Sequence, residues 1–302
     1  MAQQTNLNVS PYFDDFDSSN DYYKVLFKPG YPVQARELTG LQSILQNQIE
    51  KFGTHMFKEG AKVIPGNTTF DTGYYALELN DTHLGVPIEA YLSQLIGKKI
   101  IGLSSGVTAE VVNFITADES ERGNPTVYVS YLSTGVDNVQ TVFSDGELLA
   151  SDSDIVSGPE NNIFIPAGES IASAVSENAT SVGCAFSVDN GVYFIRGTFA
   201  NVNAQTLILS QYSNTPSLRI GFRVLEETVN SDEDESLTDN SKGFNNYAAP
   251  GADRLKITCS LFAKDLDDLN DANFVELVKV QDGVLKTDYN RNTSQYNLIG
   301  DE

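Results

Sequence analysis

Carboxylates are the only side chains in this sequence numerous enough to build a reacting centre: 41 Asp and Glu residues stand against two histidines and two cysteines. A pair of carboxylates at fixed separation is what glycoside hydrolysis uses. Here the acidic residues gather instead in polar loops, where solvation is the ordinary explanation. The densest run, SDEDESLTD at residues 231–239, has the composition of a calcium loop. It lacks the glycine at the sixth position and the ligand spacing of an EF-hand, and so reads as a solvated acidic loop. His55 and His83 have no partner nearby in sequence. Cys184 and Cys259 sit in apolar strand-like surroundings, VGCAF and KITCSL. They belong to no CxxC or Cys/His pattern, which points to buried inert thiols. GxSxG, P-loop, GxGxxG and HExxH patterns are all missing. The expectation is a chain with no catalytic, cofactor or metal site, not an enzyme.

The elements that would position any functional surface are mostly strands and turns, with one long helical signal at residues 36–57. In RELTGLQSILQNQIEKFGTHMF, Leu38, Leu41, Leu45, Gln48 and Phe52 step by three and four along one stripe. Ile44, Ile49 and Met56 widen it. Pro32 and Gly53 punctuate the ends, and Glu37 suits the positive end of the helix dipole. Such a helix either joins copies in a short coiled coil, with Gln48 fixing register, or lies on the β-domain that follows.

Residues 1–30 read as an extended arm. Its aromatics Tyr12, Phe13, Phe16, Tyr22 and Tyr23 need a surface to dock on, in this chain or a neighbour, unless the arm is a disordered tail. Within it, YYKVLF at 22–27 reads as a strand ended by KPGYP. Residues 31–79 hold the helix and flanking strands, including YYALEL at 74–79, and Pro65-Gly66 marks a turn. Residues 80–157 read as an inserted small β module that resembles a barrel or meander. It combines a short helix (PIEAYLSQL), a hairpin in KKIIGLSSGVTAEVVNFI, the strand TVYVSYL and the turn of FSDGELL. Residues 158–302 read as a β-rich domain. Asp189-Asn190-Gly191 gives its strongest hairpin signal and Asp282-Gly283 another, while Gly197 and Gly221 read as bulges or close approaches inside strands. The fold class is therefore mainly β: multi-domain antiparallel β with one N-terminal α-helix and an inserted barrel-like module. The end, residues 287–302, is polar apart from one Leu-Ile pair, as in a chain cut in a linker or a disordered terminus.

The net charge of -22 excludes phosphate-driven binding of nucleic acid and attraction to anionic membranes. It favours cationic or divalent partners and solubility. No apolar run reaches 18 residues, and the first residues lack a secretory pattern. A soluble protein made in a cytoplasm, with proteins as its partners, is the expectation.

Three stretches carry a resemblance: NVSPYFDDFDSSNDYYKVLFKPGYPVQARELTGLQSILQNQIEKFG near the start, FSVDNGVYFIRGTFANVNAQTLIL, and PSLRIGFRVLEETVNSDEDESLTDNSKGFNNYAAPGADRLKI with its APGADRL string. They resemble a family of large virion proteins of tailed bacteriophages, especially contractile-tailed phages of marine cyanobacteria. GLSSGVTAEVV and FSDGELL are similar to small β-modules of phage tail proteins. The resemblance implies a structural tail, baseplate or tail-fibre-attachment component, located in the virion and made in the host cytoplasm. It implies a native chain continuing beyond residue 302, other tail or baseplate proteins as partners, and homotrimers joined through Leu38, Leu41, Leu45, Gln48 and Phe52 while the aromatic arm docks on a neighbour. It supplies no catalytic residues. A carbohydrate-binding tail adhesin is the alternative, against which the lack of Trp counts. A depolymerase would have to reside mostly in sequence not present here.

Overall fold

The computed structural model describes residues 3–64, 66–158 and 162–286. The expectations for Pro65 and for the tail at 287–302 lie outside the described residues. These described residues are mainly β, with one α-helix among them, α1 (Ala35–Met56), and antiparallel sheets. After α1 come β1 (Lys62–Ile64), β2 (Thr68–Glu78), and the short β3 (Thr82–His83) and β4 (Val86–Pro87). Next are β5 (Lys99–Gly102), β6 (Thr108–Ile115), β7 (Thr126–Ser133), β8 (Leu148–Ser151) and β9 (Ile155–Ser157). Then follow β10 (Ile163–Ile165), β11 (Ser170–Ser173), β12 (Thr180–Val188), β13 (Gly191–Ile195), β14 (Thr198–Val202) and β15 (Gln205–Ser210). The last are β16 (Leu218–Val229), β17 (Arg254–Asp265), β18 (Phe274–Gln281) and β19 (Val284–Lys286).

An eight-stranded sheet runs in the order β11-β8-β5-β6-β7-β2-β12-β15. A four-stranded sheet runs β17-β16-β18-β19, and a three-stranded one β1-β13-β14. The strands form where apolar residues alternate: along β16, Ile220, Phe222 and Val224 are buried while Arg223 and Leu225 are exposed, the period-2 signature of a half-buried strand. Ile220, Phe222 and Val224 join Phe186, Tyr193, Ile195, Leu277 and Val280 in one core. A second core gathers Leu77, Tyr91, Leu95, Val111, Val127, Leu149 and Ile171, and a small third cluster holds Ala76, Ile115 and Tyr128.

The strands expected in the module at 80–157 take places in the eight-stranded sheet, because β7 pairs with β2 and β8 with β11. Its expected short helix is two 3-10 turns, Ile88–Ala90 and Leu92–Leu95. The turn at Asp189-Asn190-Gly191 does not make a hairpin. Both sides of β12 are already paired, with β2 and β15, so the chain crosses there to the three-stranded sheet. The hairpin is instead β13–β14, turned by Arg196 (φ 48) and Gly197 (φ 75), the two left-handed residues of a type I′ turn. Gly197 is thus a turn residue and not an in-strand bulge. Gly221 is a close approach as expected: the β16–β18 register shifts beside it, and a Cβ there would lie 2.1 Å from the Val275 carbonyl oxygen. Asp282-Gly283 turns β18 into β19. Residues 22–27 do not form a strand. They are extended, with no strand partner among the described residues, because high β propensity makes a strand only where an edge is available to pair with.

Candidate functional site

Helix α1 begins where the Glu37 carboxylate accepts the Gln34 backbone N–H at 2.9 Å, half of a capping box. It then docks on the β-domain by its polar face. The Ser43 hydroxyl donates to the Asp14 carboxylate of the arm. Gln46 Nε2 donates to the Gly197 carbonyl at 2.9 Å. Glu50 packs so closely on Gly197 that a Cβ there would lie 2.6 Å from Glu50 Cγ. Gly53 lets the helix settle on the Phe194 ring, where a Cβ would come within 2.3 Å. Phe57, just past the helix, completes the contact against Phe194 and Phe199, with ring centroids 5.9 and 5.7 Å away.

The apolar ridge is left facing outward. Leu38 is 50% exposed, Leu45 57%, Ile49 43% and Phe52 64%. Gln48 is exposed and Leu41 half-buried, so all five residues of the expected stripe share this face. Only Ile44 and Gly53 of the helix are buried. An isolated amphipathic helix would turn the other way.

The arm divides into two parts. Its first part is tied to its own chain: the Glu226 carboxylate accepts the Thr5 hydroxyl (2.7 Å), the Thr5 N–H (2.8 Å) and the Gln4 N–H (3.0 Å). Tyr12 Oη donates to Asp253 at 2.5 Å, and Asp15 pairs with Arg36 at 2.8 Å. Phe16 is half-buried, whereas Phe13 is exposed. The second part is open: Tyr22, Tyr23, Leu26 and Phe27 are exposed, as are Tyr31 and Val33 between the arm and α1.

Beneath the anchored part lies a buried ion pair that no local sequence pattern announces. Arg196, 2% exposed, donates from Nη1 to Glu226 at 2.6 Å and from Nη2 to Asn273 Oδ1 (2.6 Å) and the Ala272 carbonyl (3.2 Å). Its backbone N–H donates to Glu59 at 2.8 Å. Burial alone would raise the Glu226 carboxyl. The Thr5 hydroxyl, the Gln4 and Thr5 amides and Arg196 together outweigh it and hold the group below its ordinary value. Arg196 comes from FIRGTFA, Glu226 from RVLEE, Asp253 from APGADRL and Thr5, Tyr12 and Asp14 from the arm. The stretches singled out in sequence therefore meet around one anchor for the arm and helix.

The other candidates carry no reacting constellation. Burial pushes the thiols of Cys184 and Cys259 up to about 11. His83 Nε2 lies 2.6 Å from the Ser170 hydroxyl, and His55 is exposed at the end of α1. In the acidic loop, Asp234 and Asp239 accept the N–H groups of Ser236 and Ser241. No group of three metal-capable side chains is found among the described residues. Sequence reasoning missed the buried Glu147, which accepts from both Ser104 and Ser105, backbone and hydroxyl, at 2.6–3.0 Å and from the Ser144 N–H at 2.9 Å. It staples FSDGELL to GLSSGV. No helix of the described chain is long and apolar enough to cross a membrane.

A family model described as a domain of unknown function, DUF4815, matches residues 10–85 and 140–298. The intervening stretch falls inside the 80–157 segment. No curated protein and no solved structure matches the chain.

Proposed function

This chain belongs to the DUF4815 family, and we propose that it is a structural protein of a phage virion, a tail, baseplate or tail-fibre-attachment component that assembles as a homotrimer through α1. The observation that carries the assembly is the outward ridge of Leu38, Leu41, Leu45, Gln48 and Phe52 on a helix already held by its other face. A ridge of this kind in one copy is complementary to the same ridge in another, with Gln48 setting register at the seam. Placement in a phage tail is supported by the resemblance of the three stretches that converge on the arm and helix. The role needs no cofactor and no chemistry, only geometry and cohesion. Tyr22, Tyr23 and Phe13 belong to the contact surface, while Tyr12 and Phe16 serve as anchors within the copy.

Native mass spectrometry at micromolar concentration tests the reading. A trimer is expected for the wild type, and monomers with an unchanged thermal melt for Leu45→Asp, whose side chain touches solvent in the single copy. A wild-type chain that stays monomeric at every concentration overturns it.

A second reading, a carbohydrate-binding adhesin, is favoured by one groove. Tyr74, the half-exposed Tyr75 and Tyr131 line it with Asp71, Ser130 and Thr141, an aromatic face beside polar groups of the sort that sugars use. Glycan-array binding by the whole chain, lost in Tyr75→Ala, supports this reading; an empty array removes it.

A further inference from the structure

Residues 22–27 (YYKVLF) raise a question the ridge alone does not answer, and the inference drawn from them rests on the assembly reading. Tyr, Val and Phe at this density are the composition of a strand. The backbone is extended, yet among the described residues none of its N–H or C=O groups has a hydrogen-bond partner. The segment is not loose at its ends. Upstream, Asp14 is held by Ser43 and the Asp17 carboxylate caps the 3-10 turn Ser18–Asn20 through the Ser19 N–H. Downstream it enters α1, which is fixed on Gly197 and Phe194. Between these points Tyr22, Lys24 and Val25 run beside Arg36, Glu37, Gly40 and Ile44 of the helix across a cleft of about 440 Å³. Val25 is half-buried there, whereas Tyr22, Tyr23, Leu26 and Phe27 face solvent.

We propose that residues 22–27 pair as an added β-strand with a free sheet edge of a second copy of this chain. An extended, apolar, unpaired segment held at both ends has already lost most of the conformational freedom that strand addition costs. Each copy offers an acceptor edge in β17, which pairs only with β16 and whose outer side is bonded by Gln205 at Cys259 and Leu261, leaving the backbone of Leu255 and Ile257 without a partner there among the described residues. Charge selects a like copy as partner. From Tyr22 to Val33 the chain carries Lys24 and Lys28 and no carboxylate, within a sequence of net charge -22, so this segment is attracted to the acidic surface of its sister copies. It is also covalently continuous with α1, so burying the ridge between copies brings the strand within reach of the neighbour.

Hydrogen exchange read by mass spectrometry on the full chain tests this. In the wild-type oligomer the amides of 22–27 are expected to exchange at least about tenfold more slowly than in the Leu45→Asp monomer. Adjacent residues of a strand point their N–H groups to opposite sides, so one of Leu26→Pro and Phe27→Pro removes a ladder donor. That variant is expected to raise the concentration needed for assembly by about tenfold, the equivalent of one hydrogen bond. The matched Thr substitution, which keeps the N–H, raises it less. An oligomer in which 22–27 exchange as fast as in the monomer overturns strand addition and leaves ridge assembly standing. A chain that is monomeric throughout overturns both.

Discussion

Arg196 occupies a left-handed backbone position with a long, fully buried side chain, a conformation that is uncommon outside Gly, Asn and Asp. The position is held because the backbone N–H, Nη1 and Nη2 all have acceptors. Arg196→Met strands the Glu226 carboxylate in the interior, and a loss of about 3–5 kcal/mol in urea unfolding is expected. Arg196→Met/Glu226→Met removes both charges and is expected to recover part of that loss. The folded Glu226 carboxyl lies below its ordinary value, so the stability it contributes is present above the unfolded pKa, about 4.3. That contribution is lost as pH falls through the lower, folded value. The anchored arm should therefore loosen only in acid. Proteolytic cleavage near Thr5 that rises below about pH 4 in the wild type, and is already elevated at neutral pH in Glu226→Gln, is the expected pattern. A pH-independent cleavage rate argues that the arm is held by something else. Gln205 is a second residue of this kind. Its side-chain amide donates to the Cys259 carbonyl (2.9 Å) and accepts the Leu261 N–H (2.8 Å), standing in for a strand along the edge of β17. Gln205→Ala unpairs both groups, and a stability loss of about 1–3 kcal/mol is expected in the same assay.

At the scale of elements, α1 docks by one face and exposes its apolar stripe on the other. Docking rests on a close glycine contact and a few polar bonds, while Leu38 and Leu45 face outward and Leu41 stays half-buried. The two faces should respond differently to substitution. Gly53→Leu drives a side chain into the Phe194 ring and is expected to cost about 1–3 kcal/mol as overpacking, lowering the melting temperature of monomer and oligomer alike. Leu45→Asp should leave the monomer melt unchanged. Equal effects of the two on the melt would show that the ridge is covered by its own chain. The helix and its stripe were legible because a 3.6-residue period survives in sequence whatever the helix packs on. Which face docks was not legible, since Gly40, Ser43, Gln46 and Gly53 give no hydrophobic signal. The strand pattern of YYKVLF was legible in the same sense, while the presence of a partner for it was not. The Asp-Asn-Gly turn misled because turn chemistry describes the local bend, whereas pairing depends on whether the flanking strand has a free side. Gly197 read as an in-strand glycine and not as a turn because Arg at the first position of a type I′ turn is disfavoured in isolation and is stabilised here by contacts distant in sequence.

For the whole molecule, the strand and turn signals indicated antiparallel β, and the order of strands across the sheets depended on pairings distant in sequence, such as Leu77 with Thr180 and Ile100 with Ser151, that no local pattern encodes. The segment at 80–157 shows the consequence. Sequence spacing marks it as an insert, and the DUF4815 match passes over 86–139. Its core nevertheless includes Leu77 and Leu79 from the chain before it and Ile171, Ala172, Ala174 and Ala179 from the chain after it. Without these, Leu95, Val127 and Leu149 lose neighbours, and β7 and β8 each lose a paired strand. Residues 80–157 expressed alone are therefore expected to show no cooperative thermal transition by circular dichroism. Residues 68–188, which keep β2 through β12 and every member of that core, are expected to melt cooperatively, with a denaturant slope scaled to the surface they bury. A sharp transition in the shorter fragment would mean that the insert closes its own core, and that the β7–β2 pairing joins two independently folding units.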